Sequence, residues 1–312
     1  MSSALGIAGV TAILESMLNS VFNPGAGLGS VVISAFAPDV VQASLDAGST
    51  ANQINLFLHQ VTLNAAWRNV DMPSLSPDGT TPLKNPPLPL DLSPFQKELV
   101  EKVRPYTMTS PARIAVLEMA VRYVAGQNYP GAFVECGIAR GGSAMVMAYT
   151  LLDLGVRDRD FYLYDTFEGM PEPDAVDRGR FGESAAWSWR KHQNRRGGWI
   201  RHGVDEVQAN LASTGYPESR VTFIKGKVEE TLPEKAPDGA IALLRLDTDW
   251  HASTKAELDW LYPKLVRGGI ILIDDYFRWQ GSRKAVDDYV AEHRLPIFWA
   301  RIDEWGVVAV KP

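Results

Sequence analysis

Along residues 95–312, short apolar runs alternate with segments long enough to be helices. Helical spacing of apolar positions predicts helices over Phe95–Val103 and Pro111–Val124, the second opened by Thr109-Ser110 with Pro111 in its first turn. Strands are predicted at Ala132–Glu135, Asp160–Asp165, Val221–Lys225, Ile241–Asp247, Gly269–Asp274 and, late in the chain, Ile297–Ile302 and Gly306–Lys311. Strands separated by helix-length segments imply an α/β fold, a parallel sheet with helices on both faces. Four of these strand ends carry a carboxylate: Glu135, Asp165, Asp247 and Asp274. Ligands of open α/β sheets sit at the carboxyl ends of strands, so the recurrence points to one composite site.

Residues 1–92 follow a different pattern. Ile7, Val10, Leu14 and Leu18 are spaced as on a helix, while Val31–Phe36 and Gln53–Leu58 read as strands, which together predict a small α+β appendage. Seven prolines between Pro73 and Pro94 predict an extended linker, so a domain boundary is placed near residues 90–95. Charge sharpens this division, because residues 1–92 carry only 8 of the 68 charged side chains. The net charge of −6 argues against a nucleic-acid partner, which would need concentrated Lys and Arg. A single cysteine, Cys136, excludes a disulfide scaffold and reads as a small packed residue. No basic stretch precedes the first apolar segment and no long uncharged apolar run appears, so neither a secretory signal nor a membrane span is expected and the cytoplasm is the expected location.

The candidate chemistry lies in the second region. Glu135-Cys136-Gly137-Ile138-Ala139-Arg140-Gly141-Gly142-Ser143 follows a strand and opens a helix. Its glycines let backbone amides approach a ligand, but an acid at its head would repel a pyrophosphate and suits the cationic amino group of S-adenosylmethionine (SAM). Asp165, at the end of the next strand, is placed to hold ribose hydroxyls. Asp247-Thr248-Asp249-Trp250 and Asp274-Asp275-Tyr276 end two further strands. Four carboxylates brought together need a cation, and hard oxygen ligands select Mg²⁺, Ca²⁺ or Mn²⁺. Next to SAM, such a metal would activate an acceptor hydroxyl while a spare carboxylate takes its proton.

At these residues the sequence resembles the macrocin O-methyltransferase family of metal- and SAM-dependent enzymes that methylate sugar hydroxyls. The strings that carry the resemblance are Arg104–Thr109, Phe133–Gly137, Gly141–Ala144, Tyr164–Pro171, Lys225-Gly226 with Glu230–Pro233, Leu246–Trp250, Ser253-Thr254, and Gly268-Gly269 with Asp274–Tyr276. The resemblance implies a Rossmann-like class I SAM-dependent methyltransferase domain over residues 95–312. It places Glu135, Gly137, Gly141, Gly142 and Ser143 on the methionine part of SAM, Asp165 on the ribose, and Gly226, Lys227 and Val228 near the adenine, with Thr107, Met108, Thr166 and Asp247 also in the cofactor-binding set. It implies Mg²⁺ on Asp247, Asp274 and Asp275, with either Asp249 or Asp247 as the catalytic base. The expected partner is a sugar or glycoside acceptor, and a homo-oligomer is allowed for. Asp174–His202, with Trp187, Trp189, Trp199, Arg195 and Arg196, reads as a substrate lid too irregular for a regular element.

The strings Gly48–Asn69 and Pro86–Leu92 resemble the N-terminal part of a domain of uncharacterised function associated with contractile phage-tail-like particles. That resemblance implies a particle-associated protein partner through residues 1–92. Two other functions stay open: a metal-dependent glycosyltransferase using Asp-x-Asp with a nucleotide sugar, and a structural component of such a particle.

Overall fold

The computed structural model describes Leu88 and residues 91–193 and 198–312. The helix and strands expected before residue 88, the appendage they would form and nearly all of the linker lie outside the described residues. So do Arg195 and Arg196.

The described chain opens on α1 (Pro94–Val103), whose start is fixed by a capping box: Ser93 Oγ accepts from the Gln96 amide and Gln96 Oε1 accepts from the Ser93 amide. The last proline of the expected linker is thus the first residue of a helix. Next come α2 (Pro111–Gly126), capped by Ser110, β1 (Ala132–Cys136), α3 (Gly142–Asp153) and β2 (Phe161–Asp165). The chain continues through α4 (Ala185–Gln193), α5 (Val204–Ala212), β3 (Val221–Lys225), α6 (Val228–Lys235) and β4 (Ile241–Leu246). It finishes with α7 (His251–Leu261), β5 (Leu265–Ile273), α8 (Gln280–Glu292), β6 (Ala300–Arg301) and β7 (Val307–Val310).

The seven strands form one sheet in the order β3-β2-β1-β4-β5-β7-β6. All are parallel except β7, which runs antiparallel to both β5 and β6. From β1 the chain winds outward to β2 and β3, then returns to place β4 on the other side of β1. The strand order therefore reverses between β1 and β4, where an open sheet leaves a crevice for a ligand. Both central strands are buried along their whole length and read as apolar runs, as expected for strands covered on both faces. Their polar exceptions, Glu135 and Arg245, are register partners, so the sheet's centre contains a charge pair.

Four elements differ most from their sequence reading. β5 begins at Leu265, four residues before the expected start, because Gly268-Gly269 sits inside the strand as an irregularity: Ile241 pairs with Leu265 but Leu243 with Ile270. The late pair is shorter than expected, β6 being only two residues. The segment expected to be irregular contains the helix α4, whose composition of Trp, Arg and His hid its helical character.

Candidate active site

Most of the residues singled out in the sequence lie along the carboxyl edge of β1–β5. Glu135 is fully buried one residue before the end of β1. Its Oε1 accepts from Arg245 Nη1 at 2.6 Å, while its Oε2 has no hydrogen-bond partner, a buried acceptor open to a donor. Burial outweighs Arg245 and pushes the Glu135 carboxyl up to about 7. The turn beyond it is shaped by glycine: at Gly137, with φ of +84°, a Cβ would fall 2.1 Å from the carbonyl oxygen of Asp247. Gly141 caps α3 in the left-handed conformation with no side chain over the helix start, and at Gly142 a Cβ would fall 2.5 Å from Thr107 Cβ. Ser143 is buried in the first turn, and Met108 stands 62% exposed beside Thr107.

Asp165 ends β2, and its carboxylate braces this loop: Oδ2 accepts from the amides of Ile138 (2.7 Å) and Ala139 (3.1 Å), Oδ1 from Phe167 (2.7 Å). Thr166 Oγ1 donates to the Gly169 carbonyl. Gly226, at φ +138°, donates its amide to the Asp165 carbonyl, and Lys227 and Val228 start α6 beside it. The β1, β2 and β3 ends thus line one side of the crevice.

The carboxylates at β4 and β5 line the other. Asp247, Asp249 and Asp275 present oxygens that all lie within 4.8 Å of one another. Asp249 has φ of +73°, a costly conformation for a residue with a side chain, and it shares a side-chain hydrogen bond with Asp275. Asp274 faces the arginines instead, its Oδ1 accepting from Arg245 at 2.7 Å and its Oδ2 from Arg113. Arg245 also reaches Asp247 at 2.8 Å, and Arg113 reaches Asp303 at 2.8 Å. Desolvation raises the Asp247 and Asp275 carboxyls well above the usual range and pushes Asp249 up to about 7, the neighbouring acids adding to the effect. Six carboxylates (Glu135, Asp247, Asp249, Asp274, Asp275, Asp303) thus meet two guanidinia, an excess of negative charge that fits a divalent cation and a cationic cofactor. Each Asp274 oxygen keeps a second lone pair, so its arginine bonds leave it able to ligate.

Sequence reading missed Arg113 and Asp303, because an arginine in a buried helix and an acid far along the chain give no local pattern. Asp177 was missed too, although it is buried, and its Oδ1 accepts the amide of His251 at the start of α7. Of the tryptophans between residues 174 and 202, Trp199 packs edge-on against Trp250 and Trp279 at 6.0 and 6.4 Å, and Trp189 Nε1 donates to the Met170 carbonyl. Trp187 is 62% and Phe181 85% exposed. Cys136 is fully buried, in keeping with a packed residue.

A reversing sheet with one antiparallel strand, an acid-headed glycine turn at β1 and a strand-end acid at β2 define a Rossmann-like class I SAM-dependent methyltransferase. Over residues 101–311 the sequence matches the macrocin O-methyltransferase (TylF) family, and the chain belongs to it. Residues 9–94 match the Pvc16 N-terminal domain. Demethyldecarbamoylnovobiocin O-methyltransferase of Streptomyces niveus is 34% identical over 203 residues, 65% of this chain and 74% of the relative. A tetracenomycin rhamnosyl 4'-O-methyltransferase of Streptomyces olivaceus is 35% identical, over 65% and 74% of the two chains. Mycinamicin III 3''-O-methyltransferase of Micromonospora griseorubida is 30% identical, over 65% and 77%. The solved structure of the O-methyltransferase NovP superposes with a TM-score of 0.60 at 27% identity, covering 83% of this chain and 99% of that one. The protein is a SAM-dependent O-methyltransferase, which sets aside the glycosyltransferase alternative. Among the described residues, no helix is long and apolar enough to cross a membrane.

Proposed function

We propose that the enzyme methylates a hydroxyl of a sugar or glycoside with the help of Mg²⁺. The observation that carries the metal is the convergence of Asp247, Asp249 and Asp275 within 4.8 Å; the sugar acceptor rests on the rhamnosyl substrate named for the tetracenomycin relative and on the mycinamicin and novobiocin relatives beside it. Asp247 and Asp275 would hold the cation, and Asp274 could add an oxygen through lone pairs its arginines leave free. Mg²⁺ in such a set lowers the pKa of an acceptor hydroxyl. Asp249, whose side-chain partner is Asp275 rather than a guanidinium, would accept the acceptor hydroxyl's proton on its carboxylate. Because a sulfonium methyl needs no activation, the rest is alignment: Glu135 Oε2 takes the cofactor's ammonium, Asp165 and Gly226 border its nucleoside, and the glycine turn brings the backbone close. The 174–202 segment covers the acceptor, its exposed Phe181 and Trp187 offering apolar faces to a sugar ring. Residues 1–92, which carry most of the Pvc16 N-terminal domain match, would bind a particle-associated protein partner.

The test is transfer of label from SAM to a panel of glycosides with Mg²⁺ and with EDTA. We expect transfer that EDTA stops. Asp275→Ala should abolish turnover yet bind S-adenosylhomocysteine within about threefold of wild type, since it removes interactions made in the transition state. Full turnover in EDTA, or in Asp275→Ala, would take the metal out of the mechanism.

A further inference from the structure

One buried acid has no part in the chemistry above. Glu257 lies midway along α7, fully buried. Its Oε1 accepts from Thr248 Oγ1 at 2.8 Å, the Cys136 thiol lies within hydrogen-bonding reach, and its Oε2 has no partner. The charged groups that act on it, Glu229 and Asp247, are both negative, and no arginine or lysine bonds it among the described residues. A buried carboxyl without a cation is expensive, and a leucine of similar size would fill the space without that cost. What the carboxyl does that a leucine cannot is grip Thr248, the single residue between Asp247 and Asp249.

That residue sits in a turn that needs holding. Asp249 is in the left-handed region, and the turn is closed by the Trp250 amide donating to the Thr248 carbonyl at 2.9 Å. Strain of this kind, about 1–3 kcal/mol, persists only where the surroundings over-determine it. A hydroxyl anchored from below by a rigid helix supplies the missing constraint. We infer that Glu257 is a positioning residue: through Thr248 it sets the turn that presents Asp247 to the metal and Asp249 to the acceptor hydroxyl. The inference rests on the metal reading above, and α7 thereby becomes part of the site's support without touching substrate or cofactor.

Four variants of the full chain test it: Thr248→Val, which keeps shape and loses the donor, Thr248→Ser, which keeps the donor, Glu257→Ala, and Glu257→Gln, which keeps the acceptor. Two quantities are read: hydrogen–deuterium exchange of the peptide spanning residues 246–252, and Mn²⁺ affinity by electron paramagnetic resonance. Thr248→Val and Glu257→Ala should each speed exchange in the turn about tenfold and weaken Mn²⁺ about 10–100-fold, as loss of a ligand's support does. The double variant should be no worse than either single one, Thr248→Ser and Glu257→Gln should restore both quantities, and S-adenosylhomocysteine binding should stay unchanged. Unchanged exchange in Thr248→Val, additive losses in the double variant, or failure of Glu257→Gln to rescue would overturn the inference. If the wild type binds no Mn²⁺, the metal reading falls, while the exchange data still decide whether Glu257 sets the turn.

Discussion

Arg245 is a guanidinium at 2% exposure whose charge is divided among Glu135, Asp247 and Asp274. Two guanidinium nitrogens reach three acids that belong to both halves of the site, so the residue joins cofactor recognition to the carboxylate cluster. Replacing it with methionine fills the volume but strands buried charge, and Arg245→Met should cost about 3–5 kcal/mol in urea unfolding. Glu135 offers a titration on the same chain of contacts. Its carboxyl sits near 7 when folded, above the ordinary value of 4.5, because burial outweighs Arg245. The folded state therefore binds the proton more tightly than the unfolded chain, and stability falls as pH rises from about 4.5 to about 7. The slope from this one group is at most about 1.4 kcal/mol per pH unit. Unfolding curves of Glu135→Gln across that interval should lack this component. If the wild type and the variant keep a constant stability difference from pH 4.5 to 7, the group does not titrate there.

Among the elements, α7 shows how a distant residue completes a local structure. Its N-cap, Trp250, makes no side-chain cap, and the amide of His251 is taken instead by Asp177 at 2.8 Å, while Trp250 Nε1 donates to the Pro171 carbonyl. The segment around Pro171 and Asp177 and the helix after the Asp-Thr-Asp turn are thereby tied together. Asp177→Ala should lower stability by about 1–2 kcal/mol and speed proteolysis within residues 174–184, with S-adenosylhomocysteine affinity unchanged; equal proteolysis rates would show that the cap does not hold the segment. This element also marks where the sequence stopped being legible. The strand ends, the glycine turn and the Asp-Thr-Asp and Asp-Asp pairs were readable because each places its chemistry within a few neighbouring residues. Asp177 and Arg113 work across 74 and 161 positions of chain respectively, and no periodicity records such a partner. Gly268-Gly269 misled for the converse reason: a local signal for a strand boundary was absorbed as an irregularity inside β5.

At the scale of the molecule, the sheet explains why one edge does everything. Strand order reverses between β1 and β4, the place where an open sheet leaves a crevice at its carboxyl edge. Glu135 and Asp247 enter it from adjacent strands, and Asp165 and Asp275 border it from the next strand outward on each side. This much follows from the order of elements in the sequence, which the alternation of strands and helices made visible. The domain-sized match over residues 101–311 begins only after the proline-rich stretch. Within the described residues, α1 has its own capping box at Ser93 and buries Leu99, Val100 and Val103 beside α2 and α3. The methyltransferase part thus has a defined first element, capped by its own residues Ser93 and Gln96. Brief proteolysis of the full chain should therefore cut between residues 73 and 93 and release a fragment that starts near Ser93. That fragment should bind S-adenosylhomocysteine within about twofold of the intact protein and unfold in one cooperative step. A fragment that loses binding, or cleavage that falls first inside residues 95–312, would mean that residues 1–92 take part in building the site rather than carrying a separate function.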